Sequence, residues 1–209
     1  MYSKKRRGKV NFIDRKRQFT RARNLLNSRE KIRLHLGCGL ILKKGWVNID
    51  IDPRVKPDLI ASVDNLYMLP DNTVDEIEHN HLFEHLTPYQ AEKSIKEWFR
   101  VLKPGGVLEF EFPNLARCIE ILANKRSTDD DRRLAMIGIY GWPNDFEEFD
   151  DNGNFSMNVF QMHKWGWTPE GVIIKLKKLG FKSAKRIPET QKKREAYRLH
   201  RDMRIKALK

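Results

Sequence analysis

Two sets of residues in this chain have the type and spacing to do chemistry. The first is the turn Leu36-Gly37-Cys38-Gly39, followed eleven residues after Gly39 by Asp50 and Ile51. Glycines let a backbone approach a ligand with no Cβ in the way. A carboxylate at the end of the next strand can accept both hydroxyls of a ribose, the usual way an adenosine cofactor is held. The second set is histidine-based: His81, His85 and, far along the chain, His163. Each is an imidazole able to take a proton near neutral pH. His81-Leu82-Phe83-Glu84-His85 also spells H-x-x-E-H, the inverted zinc-peptidase pattern, which needs a helix running well past it. Pro88 follows after two residues and opens a separate helix, so no metal ligands are assigned to the motif.

Alternating strands and helices must position these groups. IRLHLG (32–37) and WVNIDID (46–52) read as strands, each ending in turn chemistry, and DLIASV follows. VDEIEHNHL fits a strand or the start of a helix. Ala91, Ile95, Trp98, Phe99 and Leu102 recur at helical spacing after Pro88, and Lys103-Pro104-Gly105-Gly106 stops that helix. VLEFEFP alternates as a strand. Residues 114–139 read as two helices broken near Ser127-Thr128-Asp129, with either hydroxyl a candidate cap. Residues 140–166 read as an irregular insert over the cleft. Thr168-Pro169-Glu170 opens a last helix that Gly180 ends, and FKSAKRI with LHRDMRIKAL predicts a terminal strand pair. This order predicts a three-layer α/β sheet.

Composition limits the function classes. The chain has 209 residues, 40% hydrophobic and 33% charged, a globular balance with no apolar run of membrane-spanning length. The basic start MYSKKRRGKV has no apolar stretch behind it, so it is not read as a signal peptide. Cys38 and Cys118, with no CxxC, argue against a disulfide framework and suit a reducing cytoplasm. The net charge of +13 is concentrated in residues 1–33, while 71–85 and 144–151 are acidic. Residues 1–30 are expected to be a basic, flexible extension, with nucleic acid, anionic lipid or another polyanion as alternative partners.

The segments LHLGCGLILKKGWVNIDIDP, SVDNLYMLPDNTVDEIEHNHLFEHL and KEWFRVLKPGGVLEFEFPNL, spanning about residues 32–116, together resemble class I S-adenosylmethionine-dependent methyltransferases. More narrowly, they are similar to the small methyltransferases associated with surface-polysaccharide and glycosyltransfer functions. The resemblance implies a Rossmann-like three-layer sandwich, mostly parallel, with a C-terminal antiparallel strand pair. It also implies S-adenosylmethionine as cofactor and S-adenosylhomocysteine as product. Carried over by position, Gly37, Cys38 and Gly39 line the methionine part, and Asp50 with Ile51 the ribose. Asp64, Asn65 and Leu66 then lie beside the adenine, and His81 faces the cleft. The stretch Leu40–Val47 is too short for the usual crossover helix, as in the narrower family, and His35 stands where an acidic residue often precedes the glycine turn.

The expected domain is 31–209. The leading function is O-methylation of a sugar, glycan or other hydroxylated acceptor, with His81, His85 and His163 as candidate bases. Within the insert, Tyr140, Trp142, Phe146, Phe149, Trp165 and Trp167 either stack on the acceptor or pack the lid. Glu147-Glu148-Phe149-Asp150-Asp151 is read as a solvated loop, with a divalent ion as the alternative. Two further functions stay open. One is a nucleic-acid methyltransferase using the basic tail, although no Asn/Asp-Pro-Pro-Tyr/Phe signature occurs. The other is an inactive binding module, which would have no need of Gly37, Gly39 and Asp50.

Overall fold

The computed structural model describes residues 14–143, 147–149, 155–158, 161–188 and 201–209. Helix α1 (Arg15–Asn27) starts at Asp14, whose side chain caps Arg17 N–H. Here the structure departs from the flexible extension expected over 1–30: Ala22 and Gln18 are buried, and the Gln18 side chain accepts the Ile60 N–H at 3.0 Å. Residues 1–13 lie outside the described residues.

Five parallel strands follow: β1 (Arg33–Leu36), β2 (Val47–Asp50), β3 (Leu59–Ile60), β4 (Val74–Asn80) and β5 (Leu102–Pro113). The ambiguous VDEIEHNHL segment is therefore strand as far as Asn80. Between β4 and β5 lies α2 (Pro88–Val101), which opens with a capping box from Thr87 and Gln90. It buries Ala91, Ile95 and Trp98, and Trp98 Nε1 donates to Val63 O at 3.0 Å. β5 begins sooner than VLEFEFP suggests, at Leu102. Lys103-Pro104-Gly105-Gly106 is an irregular stretch inside it, with Gly105 at φ +80°, across which the β4–β5 register shifts.

Two helices then pack on each other, α3 (Leu115–Ala123) and α4 (Asp129–Tyr140), and Thr128 supplies the α4 cap. The insert is not wholly irregular: it contains an antiparallel hairpin, β6 (Glu147–Phe149) with β7 (Phe155–Met157). α5 (Pro169–Leu179) starts at Thr168 and ends on Gly180. β8 (Ser183–Ile187) and β9 (Asp202–Leu208) close the sheet, β9 running antiparallel to both β5 and β8.

The sheet order is β3-β2-β1-β4-β5-β9-β8, with helices flanking it. Its centre is apolar because Leu34, Leu36, Ile49, Ile77, Leu108, Phe110 and Phe112 are buried. That is the Rossmann-like three-layer arrangement expected, with one antiparallel pair at the C-terminal edge. Among the described residues no helix is long and apolar enough to cross a membrane.

Candidate functional site

β1 and β4 are neighbours, yet the chain leaves β1 towards β2 and leaves β4 towards β5. Strand order reverses between them, so the loops at their carboxyl ends diverge and leave a crevice. A cleft of about 1560 Å³ opens there. One small-molecule site usually takes roughly 300–1,000 Å³. The space therefore suits two ligands side by side.

One end of the cleft is made largely of backbone. Gly37 and Gly39 have φ of +57° and +50°, a region where side chains are strained. A Cβ on Gly37 would stand 2.9 Å from Leu82 Cδ1, whereas one on Gly39 would meet nothing within 4 Å and would project into open space. The Cys38 N–H donates to Ile49 O at 3.2 Å, fixing the turn against β2. Asp50 holds the turn from the side: its carboxylate accepts Gly39 N–H and Asp52 N–H, each at 2.9 Å. A carboxylate has about four acceptor positions, so two remain for a ligand's hydroxyl pair. Gly37, Cys38, Gly39, Asp50 and Ile51 all line the cleft.

Asp64, Asn65 and Leu66 are not among the residues that line it. Leu66 is buried in the core with its N–H donated to Glu97, and Asp64 turns to Ser62 and Lys93. Ser62 and Val63 line the cleft instead. The β1–β2 connection has no helix, as its length implied, and Leu40, Ile41 and Leu42 stand exposed on it. His35 faces away from the cleft chemistry, buried and hydrogen-bonded to Asn48 Oδ1 at 3.2 Å.

The other end is built from side chains of distant segments. His81 has a left-handed φ of +52°, which aims its ring at three buried carboxylates. Its Nδ1 lies 3.0 Å from Glu84 Oε1, and its Nε2 lies 3.4 Å from Glu111 and 3.3 Å from Asp202. Burial alone would lower the imidazole, but hydrogen bonds to Asp202 and Glu84, with their charges, raise it to about 9. The same contact seen from Glu84 offsets the burial of that carboxyl and holds it well below the usual carboxylate range. His81 is thus an imidazolium with no lone pair to offer, which removes it from the candidate bases and makes it a clamp. Arg201 completes the network, with Nε 2.8 Å from Asp202 Oδ1.

His85 and His163 are arranged differently. His85 Nδ1 lies 3.0 Å from Met162 O, and His163 Nδ1 lies 3.0 Å from Gly138 O. A carbonyl can only accept, so in both rings Nδ1 carries a proton, and Nε2 is the atom able to present a lone pair when the ring is neutral. Burial is the main cause lowering the His163 imidazole, which keeps it neutral. The two rings pack edge to face with centroids 4.9 Å apart, and both line the cleft. Of the insert's aromatics, Trp142 lines the cleft and Trp165 is exposed. Trp167 is a packing residue, buried with Nε1 donating to Phe83 O at 2.9 Å. Phe146 and the side chains of residues 147–151, including the acidic loop, lie outside the described residues.

Sequence reasoning missed Glu84, Glu111 and Asp202 as partners of the histidines. Glu111 lies near the end of β5, paired with Arg204, and Asp202 begins β9, paired with Pro113. The two carboxylates come together only through this long-range pairing, which no local spacing signals. It also missed Arg17 and Arg21, one helical turn apart on α1, which line the cleft mouth.

A model of the family described as "Methyltransferase domain" matches residues 44–110. No curated protein matches the sequence. Among solved structures, the chain is similar to an S-adenosylmethionine-dependent methyltransferase from Archaeoglobus fulgidus, with TM-score 0.53, 19% identity, and 94% of this chain and 95% of that one covered. It is similar to another from Methanosarcina mazei, with TM-score 0.53, 19% identity, and coverage of 87% and 93%. A third is the 1,6-didemethyltoxoflavin-N1-methyltransferase of Burkholderia thailandensis, solved with bound 1,6-didemethyltoxoflavin and S-adenosylhomocysteine, with TM-score 0.50, 11% identity, and coverage of 94% and 79%.

Proposed function

We propose that this chain, whose residues 44–110 match a methyltransferase-domain model and whose fold is that of S-adenosylmethionine-dependent methyltransferases, transfers a methyl group to a hydroxyl oxygen of a sugar, glycan or other small hydroxylated acceptor. The observation that carries this reading is the pair of imidazoles, His85 and His163, whose Nδ1 protons are committed to backbone carbonyls. An oxygen nucleophile must shed a proton as it reacts, and these groups stand where the acceptor would lie.

The cofactor fits the opposite end: open space over Gly39 and the two spare acceptor positions of Asp50 suit a methionine chain and a ribose. When bound, it supplies an electrophilic methyl on a sulfonium; the acceptor oxygen's lone pair forms the new C–O bond while the C–S pair returns to sulfur. The chain's own part is alignment. Gly37 and Gly39 fix one reactant, and Trp142, Gln161 and His163 bound the space for the other. The hydroxyl proton is released at the Glu84–His85–His163 group. The buried, unbridged thiols of Cys38 and Cys118 suit a cytoplasmic setting for this activity.

The test is transfer of labelled methyl from S-adenosylmethionine to a panel of monosaccharides, nucleotide sugars and oligosaccharides, with RNA and DNA in parallel. Labelled sugar that loses its label with His163→Ala supports the reading. Labelled nucleic acid alone would replace it with the second reading, which Arg17 and Arg21 at the cleft mouth favour.

A further inference from the structure

The H-x-x-E-H motif is only partly used by the network around His81. Glu84, in the single 3-10 turn Phe83–His85, is buried with 2% of its surface exposed. Its Oε1 accepts from His81, but its Oε2 is buried with no hydrogen-bond partner among the described residues. A buried charged oxygen left unpaired is costly, and such groups mark missing ions or waters.

Two imidazoles face the same carboxylate. His163 Nε2 stands 4.0 Å from Glu84 Oε1, too long for a hydrogen bond. With a carbonyl on each Nδ1, Nε2 is the atom of each ring left to face a ligand. One ligand atom from each of Glu84, His85 and His163 lies within 4.8 Å of the others. An imidazole pinned through Nδ1–H to a backbone carbonyl is how metal-binding histidines are oriented.

We propose that Glu84, His85 and His163 form a divalent-cation site of two imidazoles and one carboxylate, open towards the cleft, with Zn²⁺ the first candidate. Two nitrogens and one oxygen suit zinc better than the all-oxygen preference of Mg²⁺ or Ca²⁺. Closing three ligand atoms to about 2.0–2.2 Å from one ion requires inward shifts on the order of 1 Å. His85 and His163 line the cleft, so the open position faces the acceptor. His81, although it begins the motif, is not a ligand: it is occupied by Glu84, Glu111 and Asp202. The third ligand comes instead from 78 residues downstream of His85 (163 minus 85).

The cation's role, though not its binding, rests on the O-methylation reading. With the ion bound, both Nε2 lone pairs are spent on it. The acceptor hydroxyl is then acidified by the cation, and its proton passes to water at the cleft mouth in place of direct transfer to an imidazole.

The test uses the full chain stripped with chelator and then titrated by calorimetry with Zn²⁺, and with Mg²⁺ and Ca²⁺ as controls. Co²⁺ serves as an optical probe of four-coordination. The expected result is one saturable Zn²⁺ site per chain, weakened at least ~10-fold by His85→Ala and by His163→Ala. S-adenosylhomocysteine binding should stay unchanged in both variants, which shows they are folded. No saturable Zn²⁺ site, or one that both variants leave intact, overturns the proposal. Zinc binding by a chain that methylates only nucleic acid would overturn the O-methylation reading and keep the site. Chelator-insensitive methylation of a sugar, with no zinc bound, would do the reverse.

Discussion

At the cofactor end of the cleft, the groups that meet a ligand are peptide units and one carboxylate, all within the span from Gly37 to Val63. At the acceptor end they are side chains from β4, the α4–β6 connection, the segment before α5 and the start of β9. The first end is fixed by two adjacent parallel strands, whose ladder sets where Gly39 and Asp50 stand. The second depends on a network of buried charges, in which His81 and Arg201 answer Glu84, Glu111 and Asp202. Backbone geometry tolerates changes in its surroundings; a buried charge network does not, because each member left unpaired keeps its full desolvation cost. The acceptor end should therefore be fragile in stability and in turnover, and the cofactor end robust in stability while sensitive in affinity.

The largest effect should come from His163→Ala. Turnover is expected to fall ~10²–10⁴-fold, the usual worth of a positioned proton-handling group. S-adenosylhomocysteine affinity, read by calorimetry, should be unchanged. A parallel loss of affinity would merge the two ends and break the comparison.

Next is Asp202→Ala, which takes away the carboxylate that pairs with Arg201 and one of the three around His81. Breaking a buried ion pair costs about 3–5 kcal/mol, read as a lower urea midpoint at constant slope. Asp50→Ala should do the opposite. Its loss is expected to weaken S-adenosylhomocysteine ~10–100-fold, from hydrogen bonds of about 1.5–3 kcal/mol to a charged group. Stability should move by less than the Asp202 variant moves it. Equal destabilisation by both would sink the claim that the ends differ in construction.

The same contrast explains what was legible in the sequence. Gly37, Gly39 and Asp50 lie on consecutive strands, so local spacing already encodes their proximity. The helix ends were readable for a similar reason, since Thr87, Thr128 and Thr168 act within one turn. Asp64 to Leu66 are harder to read, because Leu66 is drawn into the core while Ser62 and Val63 line the cleft. α1 was missed because its buried face is small, Ala22 and Gln18, and its helix is otherwise charged. The imidazolium character of His81 was beyond reach: it arises from β5 pairing with β9, residues separated by about ninety positions in the chain. The β6–β7 hairpin lay in a stretch too rich in Gly, Asn and Asp to show alternation.

The smallest effect compares two buried histidines, one beneath each end. His35 on β1 has Asn48 as a hydrogen-bond partner. His79 on β4 has none among the described residues and lies between the rings of Trp98 and Phe110, at centroid distances of 4.8 and 4.6 Å. Burial lowers both imidazoles, His79 to about 3. The folded chain therefore binds fewer protons than the unfolded chain once pH drops below the ordinary value of about 6.5. Stability is full above that value and is lost as pH falls towards about 3, with a slope of about 1.4 kcal/mol per pH unit for one such group. Between pH 6.5 and 5 ordinary carboxylates contribute little, so the slope there belongs to the histidines. His163 is lowered by burial too and shares that slope. His79→Phe, which keeps a ring between Trp98 and Phe110, should therefore remove one group's part of it in urea titrations, and His35→Asn should remove less. A His79→Phe chain with the wild-type slope would mean that this ring is protonated inside the fold. The acceptor end would then carry one more buried charge than the network described above.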